Sequence, residues 1–118
     1  MTDTTARIRE LHLYRKYFDL VAAGIKTIEV RVKYPHLEDL AAGDTIRFRI
    51  KGTEETCDVE VKRVAEYHDF EALLDDEGAA NVNPSATRRQ QLDNIRAIYP
   101  PEKEALGVLA IEIQLSAT

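Results

Sequence analysis

Gly24-Ile25-Lys26-Thr27-Ile28-Glu29-Val30-Arg31 is the stretch on which the reading of this chain turns. Glycine tolerates positive φ, so Gly24 can end a helix and turn the chain. Strict alternation follows: Ile28, Val30 and Val32 are apolar, and Thr27, Glu29, Arg31 and Lys33 fall between them. In a β-strand these two sets point to opposite faces. One face packs on a core. The other carries a hydroxyl, a carboxylate and two cations in a row, with Lys26 where the strand begins. On composition alone such a row is a solvated face, the usual fate of one side of an alternating strand. Its sharper reading is the floor of a cleft that binds or cuts a polar ligand.

Upstream, Ile8–Leu13 predicts a strand, with Leu11 and Leu13 on one face and Glu10, His12 and Tyr14 on the other. Residues 15–23 predict a helix: Tyr17, Phe18, Leu20 and Val21 recur at helical spacing, and Gly24 stops it. Residues 1–7 are expected to be a loose tail and 8–118 a single domain.

Downstream, residues 34–43 read as a connection, since Tyr34-Pro35 disfavours helix at Tyr34. Leu37 and Leu40 anchor a short helical turn there. Gly43-Asp44 leads into a strand from Thr45 to Ile50, in which Ile46, Phe48 and Ile50 alternate with Thr45, Arg47, Arg49 and Lys51. That basic ladder serves solubility and edge protection, or else it is a phosphate-facing wall. A hairpin turn at 52–55 precedes a strand with Cys57, Val59 and Val61 on one face. The apolar register then shifts to Val64, which marks a bulge or the strand's end. Asp69 caps a helix through Glu77, closed by Gly78. Residues 79–84 read as a loop. Ser85 is expected to cap a helix to Ile98 whose buried stripe is Leu92, Ile95, Ile98 and Tyr99, ended by Pro100-Pro101. The last strand is 108–115, with Leu109, Ile111, Ile113 and Leu115 on one face and Val108 and Ala110 apolar on the other. The fold class is α+β. Five short strands, mixed or antiparallel, curl into a small barrel with flanking helices.

The chain has 118 residues, 44% of them hydrophobic and 31% charged, which suits one ordinary globular core. No apolar run reaches the length of a membrane span, and the polar start has no signal-peptide core. The single Cys57 is read as a small buried hydrophobe, and a lone thiol points to the cytoplasm. The net charge of −5 argues against a non-specific nucleic-acid binder driven by charge alone. It leaves room for a local basic patch.

Metal ligation is poorly supported, because His12, His36 and His68 lie far apart in sequence and match no zinc spacing. Asp75, Asp76 and Glu77 read as the acidic exposed end of a helix in preference to a magnesium cluster. The glycines are scattered, so no phosphate loop and no cofactor motif appears. What remains is the group Lys26, Thr27, Glu29 and Arg31. A lysine whose pKa is lowered by burial can serve as a base. A carboxylate flanked by cations stays ionised and acts as an acceptor or orienter. Arginine makes forked bonds to phosphate.

Gly24-x-Lys26-x-x-Glu29-x-Arg31 resembles the Gly-x-Lys-x-x-Glu-x-Arg signature of the ASCH (activating signal cointegrator homology) family, relatives of the PUA RNA-binding fold. Tyr17–Val21 is similar to the family's first helix, and Leu40-Ala41-Ala42-Gly43-Asp44 to its Gly-Asp lead into the next strand. The Phe70–Gly78 helix, Ile98-Tyr99-Pro100 and the Gly107–Leu115 strand are similar too. The chain therefore looks like a small, bacterial-type, single-domain member. The resemblance implies a PUA-like β-barrel and a cleft lined by Lys26, Glu29 and Arg31.

The resemblance also implies RNA, a nucleoside or a nucleotide as partner. Lys26 and Arg31 would meet phosphate or carbonyl oxygens, Glu29 would accept from a base or sugar, and Thr27 would lie beside them. Tyr14, Tyr17 or Tyr99 would offer a stacking face, although each is individually also read as core or rim packing. Some small bacterial members are hydrolases, acting as single-strand ribonucleases or removing the acetyl group of N4-acetylcytidine. The latter use a lysine, a threonine three positions later and a downstream glutamate. Lys26 matches that lysine, but Glu29 occupies the threonine position, Thr27 is offset, and Glu77 falls only roughly where the glutamate would be. The threonine nucleophile is therefore not intact. If the site is catalytic, Lys26 and Glu29 are the candidate catalytic residues. A third reading makes Glu29–Arg31 a purely structural ion pair.

Overall fold

A computed structural model describes residues 8–116, so the expected tail at 1–7 lies outside the described residues. The strands are β1 (Ile8–Leu13), β2 (Ile28–Val32), β3 (Thr45–Ile50), β4 (Thr56–Tyr67) and β5 (Val108–Leu115). The helices are α1 (Arg15–Ala22), α2 (Phe70–Glu77), α3 (Ala79–Val82), α4 (Arg88–Ile98) and α5 (Pro101–Glu104), with a 3-10 turn at Pro35–Leu37. The five strands form one sheet in the order β1-β3-β4-β5-β2, curled into a half-barrel with helices around it. β1 runs parallel to β3, from Ile8 opposite Thr45 to Leu13 opposite Ile50, and the other pairings are antiparallel. The sheet is thus mixed, and β1 and β2 are its two edges.

Two apolar clusters share β5. Leu109, Ile111 and Ile113 pack with Leu11, Leu13, Phe18, Phe48, Val59 and Val61. Val108 and Ala110 pack with Ile28, Val32, Phe70, Leu73 and Leu92. A central strand covered on both faces needs apolar residues at successive positions, as at 108–111. The register shift expected after Val61 is a bulge between Val61 and Arg63, and β4 continues past it to Tyr67. The extra residue returns Val64 to the first cluster, which it packs against.

Asp69 caps α2 as expected, accepting from the Ala72 amide at 2.8 Å. Elsewhere the helices depart from the sequence reading. Residues 79–82, read as loop, form α3, where two alanines favour the helical turn. α4 is capped by Thr87, not Ser85. Thr87 has Gln90 three residues on, and the two close a reciprocal capping box; Ser85 has Arg88 at that spacing and cannot. Pro101, read only as a terminator, also starts α5, since proline suits the first helical position. Ile98 is not buried: it is 53% exposed.

In the basic ladder Arg47 and Arg49 are paired with carboxylates, while Lys51 lies over the Tyr14 ring. Arg47 makes a forked pair with Asp58 at 2.9 and 3.0 Å. Arg49 bonds Glu10 at 2.7 and 3.1 Å and Glu54 at 3.0 Å. β3 lies between β1 and β4, so edge protection does not explain the ladder, and Arg47 and Arg49 are turned to carboxylates instead of forming a phosphate-facing wall. Among the described residues, no helix is long and apolar enough to cross a membrane.

Candidate ligand cavity at the sheet's open seam

The site is built from the end of α1 onward. Gly24, at φ 74°, breaks the helix, and the amides of Ile25 and Lys26 both bond back to the Leu20 carbonyl at 3.0 and 3.1 Å. This tight turn throws Lys26 inward. In β2, Ile28 and Val32 are committed to the α2–α4 side of the sheet. The alternation therefore drives Glu29 and Arg31 onto the concave side. The row is no solvated face: Lys26 is 5% exposed and Glu29 4%.

These charges are held in a chain of contacts. Lys26 Nζ donates to the carbonyls of Ile28 (2.7 Å) and Val82 (3.0 Å) and lies 3.4 Å from Glu29 Oε1. An ammonium has three donors, and three acceptors surround this one. Arg31 Nε donates to Glu29 Oε2 at 2.7 Å, and its Nη2 reaches the His12 carbonyl on β1 at 2.9 Å. Burial pushes the Lys26 pKa below the ordinary lysine value, with the Glu29 charge pulling the other way. Burial would raise Glu29, but the charges of Arg31 and Lys26 outweigh it and hold the carboxyl below its usual range. Glu29 is consequently an ionised acceptor. It has lone pairs to spare, because each oxygen meets one cation.

A cavity of about 260 Å³ opens beside these groups, between the end of β1, β2 and α4. Lys26, Glu29, Arg31, Tyr17 and Tyr99 line it, so five of the residues singled out in the sequence converge. Thr27 is not in the lining; its amide bonds the Asn81 carbonyl at 3.0 Å. Glu77 is also elsewhere, gripped by Arg63 at 2.6 and 2.9 Å. Asp75 is bound by Arg88 at 2.7 Å, and Asp76 by the Tyr67 hydroxyl. Among the described residues, no group of three or more His, Cys, Asp or Glu could hold a metal. Burial raises the Cys57 thiol pKa and keeps it protonated.

The tyrosines play different parts. Tyr99 packs on Phe70 and Tyr34, with ring centroids 5.9 and 6.3 Å away, and burial raises its pKa. Tyr17 is half-buried against the first cluster. Tyr14, at the rim, is 55% exposed, with Lys51 Nζ 5.9 Å above its ring.

Sequence reasoning missed the wall contributed by α4. Gln91, Asn94, Ile95 and Ile98 line the cavity at i, i+3, i+4 and i+7, which is one helical stripe. Leu92 and Ile95 belong to a second stripe facing the core. The available signal was polar: Gln91 and Asn94 interrupt a face that would otherwise be apolar. Gln91 Nε2 donates to the carbonyls of Ala79 (2.8 Å), Asn83 (2.9 Å) and Ala86 (3.1 Å). It thereby pins the segment whose Val82 carbonyl holds Lys26.

The class of protein this describes is a small half-barrel with a charged cleft at its seam. The model of the ASCH domain matches residues 11–116, and the chain belongs to the ASCH domain family. It is similar to the crystal structure of hypothetical protein PH0355, with 32% identity over 92% of this chain and 99% of that one, TM-score 0.83. It is also similar to the solution structure of protein PF0455 from Pyrococcus furiosus, with 30% identity, 94% and 99% coverage and TM-score 0.76. The ASCH domain from Lactobacillus crispatus shares the fold at 12% identity and TM-score 0.72, covering 92% of this chain and 79% of that one. No curated protein matches the chain.

Proposed function

We propose that the cavity binds a single nucleobase or nucleoside, either free or turned out of single-stranded RNA. The observation that carries this reading is a buried, ionised Glu29 in the wall of a cavity that also holds aromatic rings and cations. Base recognition uses such parts: an acceptor for ring or amino N–H groups, rings for stacking, and cations for phosphate or carbonyl oxygens. Size supports a small occupant, because about 260 Å³ falls just below the roughly 300–1,000 Å³ usual for drug-sized ligands. Lys26, Arg31 and Lys51 make the site locally basic in an acidic chain. We also infer a reducing compartment, such as the cytoplasm, from the unpaired Cys57.

Binding is favoured over hydrolysis by the state of Lys26. A general base needs a free lone pair on nitrogen, and here the nitrogen faces three acceptors. The deciding measurement is calorimetric titration with the common nucleosides and with a single-stranded pentaribonucleotide. The expected result is saturable binding that Glu29→Gln weakens at least tenfold while the variant stays folded. Tighter binding of the pentanucleotide assigns the site to RNA, and tighter binding of the nucleoside assigns it to the free base. No binding by either overturns the reading. Turnover of N4-acetylcytidine or of the labelled strand that Lys26→Ala abolishes would restore the hydrolase reading.

A further inference from the structure

We infer that the cavity selects amino-bearing bases (guanine, cytosine, adenine) over uracil and hypoxanthine, and that Gln91 is a specificity-determining residue. This rests on the nucleobase reading above.

Gln91 is 3% exposed and lines the cavity. Its amide orientation is fixed by its surroundings: three backbone carbonyls crowd the Nε2 side, and a flip would set oxygen against all three. Its Oε1 is buried and has no hydrogen-bond partner among the described residues. A buried carbonyl of this kind is costly unless a donor reaches it. The cavity that Gln91 borders is the nearest space from which a donor can come, and a donor there reaches Oε1 once the side chains that now cover this oxygen shift aside.

Glu29, held ionised, is also acceptor-only. The site thus offers an occupant two groups that accept and cannot donate. Arg31, Asn83, Asn94 and Lys51 supply donors for the occupant's own carbonyls or ring nitrogens. The complement is a planar heterocycle with at least two N–H bonds on its recognised edge. Guanine has three, on N1 and the exocyclic amine. Cytosine and adenine have two, on one amine whose hydrogens diverge. Within their nucleosides uracil and hypoxanthine keep a single ring N–H, and either would leave one acceptor unpaired. A site built to bond a donor rejects the analogue lacking it, because the site's own buried group is then stranded.

Two matched pairs test this on the unaltered chain: guanosine against inosine, which differ by the 2-amine alone, and cytidine against uridine. The expected result is an affinity about tenfold or more higher for the amino-bearing member of each pair. In Gln91→Met the ratio within each pair should fall toward one. A ratio is insensitive to a general loosening of residues 79–86, which would weaken both members alike. Equal affinities within the pairs on the unaltered chain overturn the inference while nucleobase binding stands. A preference that survives Gln91→Met removes Gln91 from the role. Absence of binding by the nucleosides and by the single-stranded pentaribonucleotide alike removes both readings. Should Gln91→Met not fold, the comparison on the unaltered chain decides.

Discussion

Arg31 on β2 donates from Nη2 to the backbone carbonyl of His12 on β1, 2.9 Å away, while its Nε holds Glu29 at 2.7 Å. β1 and β2 are the two edges of the sheet and share no ladder, so one side chain ties them together. The planar guanidinium serves the two acceptors from two different nitrogens, which a single ammonium nitrogen in its place cannot reproduce. The same contact fixes one wall of the cavity relative to the other.

Arg31→Lys should therefore open the seam. A lysine keeps the charge beside Glu29 but cannot also reach the His12 carbonyl. The expected cost is about 1.5–3 kcal/mol, the range for a hydrogen bond to a charged group. Hydrogen exchange should quicken in β1 and β2 while β4 and β5 stay protected. Unchanged exchange at His12 and its neighbours would deny Arg31 this role.

Glu29→Ala leaves Lys26 and Arg31 as buried cations without their anion, and breaking a buried pair costs about 3–5 kcal/mol. The acid limb of the stability curve carries the same information. Glu29 titrates below the ordinary carboxylate range when folded. Its contribution is complete above the unfolded value of about 4.3 and is lost as pH falls through the lower native value. Denaturation of the unaltered chain and of Glu29→Gln from pH 7 to pH 2 should show a gap that is widest at neutral pH and closes in acid. A gap of constant width would mean that the carboxylate's charge is not what stabilises the site.

Charge at the cavity mouth should matter where it is unneutralised. Arg47 and Arg49 are matched by Asp58, Glu10 and Glu54, whereas Lys51 lies over the Tyr14 ring at the rim. Arg47→Ala with Arg49→Ala is expected to leave affinity for a single-stranded pentaribonucleotide within about twofold. Lys51→Ala should lower it and flatten its salt dependence. The reverse pattern would return the β3 ladder to the binding surface.

How much of this was legible in the residues follows from which forces are local. The alternation of 28–32, the apolar run at 108–111 and the cap at Asp69 each encode their own structure, and the strands sit where those patterns put them. The face that Glu29 and Arg31 occupy was also encoded. Whether that face met water was not, because the answer depends on β1 lying opposite, and nothing near residue 29 announces His12. The α4 wall was hidden for a related reason. A helix packed between a core and a cavity carries two overlapping stripes. Read alone, its apolar positions merge into a single buried face. The staple from Gln91 to residues 79, 83 and 86 exists only once α3 has formed.

The two stripes of α4 can be separated by substitution. Leu92 is in the core, and Leu92→Ala should cost about 2–5 kcal/mol, the usual range for a truncated buried leucine. Ile98 lies at the cavity mouth and is half exposed, so it contributes little to the fold. Ile98→Ser should change stability by no more than about 0.5 kcal/mol. It should nonetheless weaken nucleoside binding several-fold, because burial against a ligand would remove its side chain from water and the serine has no such surface to offer. Parallel denaturation and titration of the two variants supplies the check. A large loss of stability in Ile98→Ser would return the residue to the core. Unaltered affinity with unaltered stability would mean that the occupant does not reach this end of the helix.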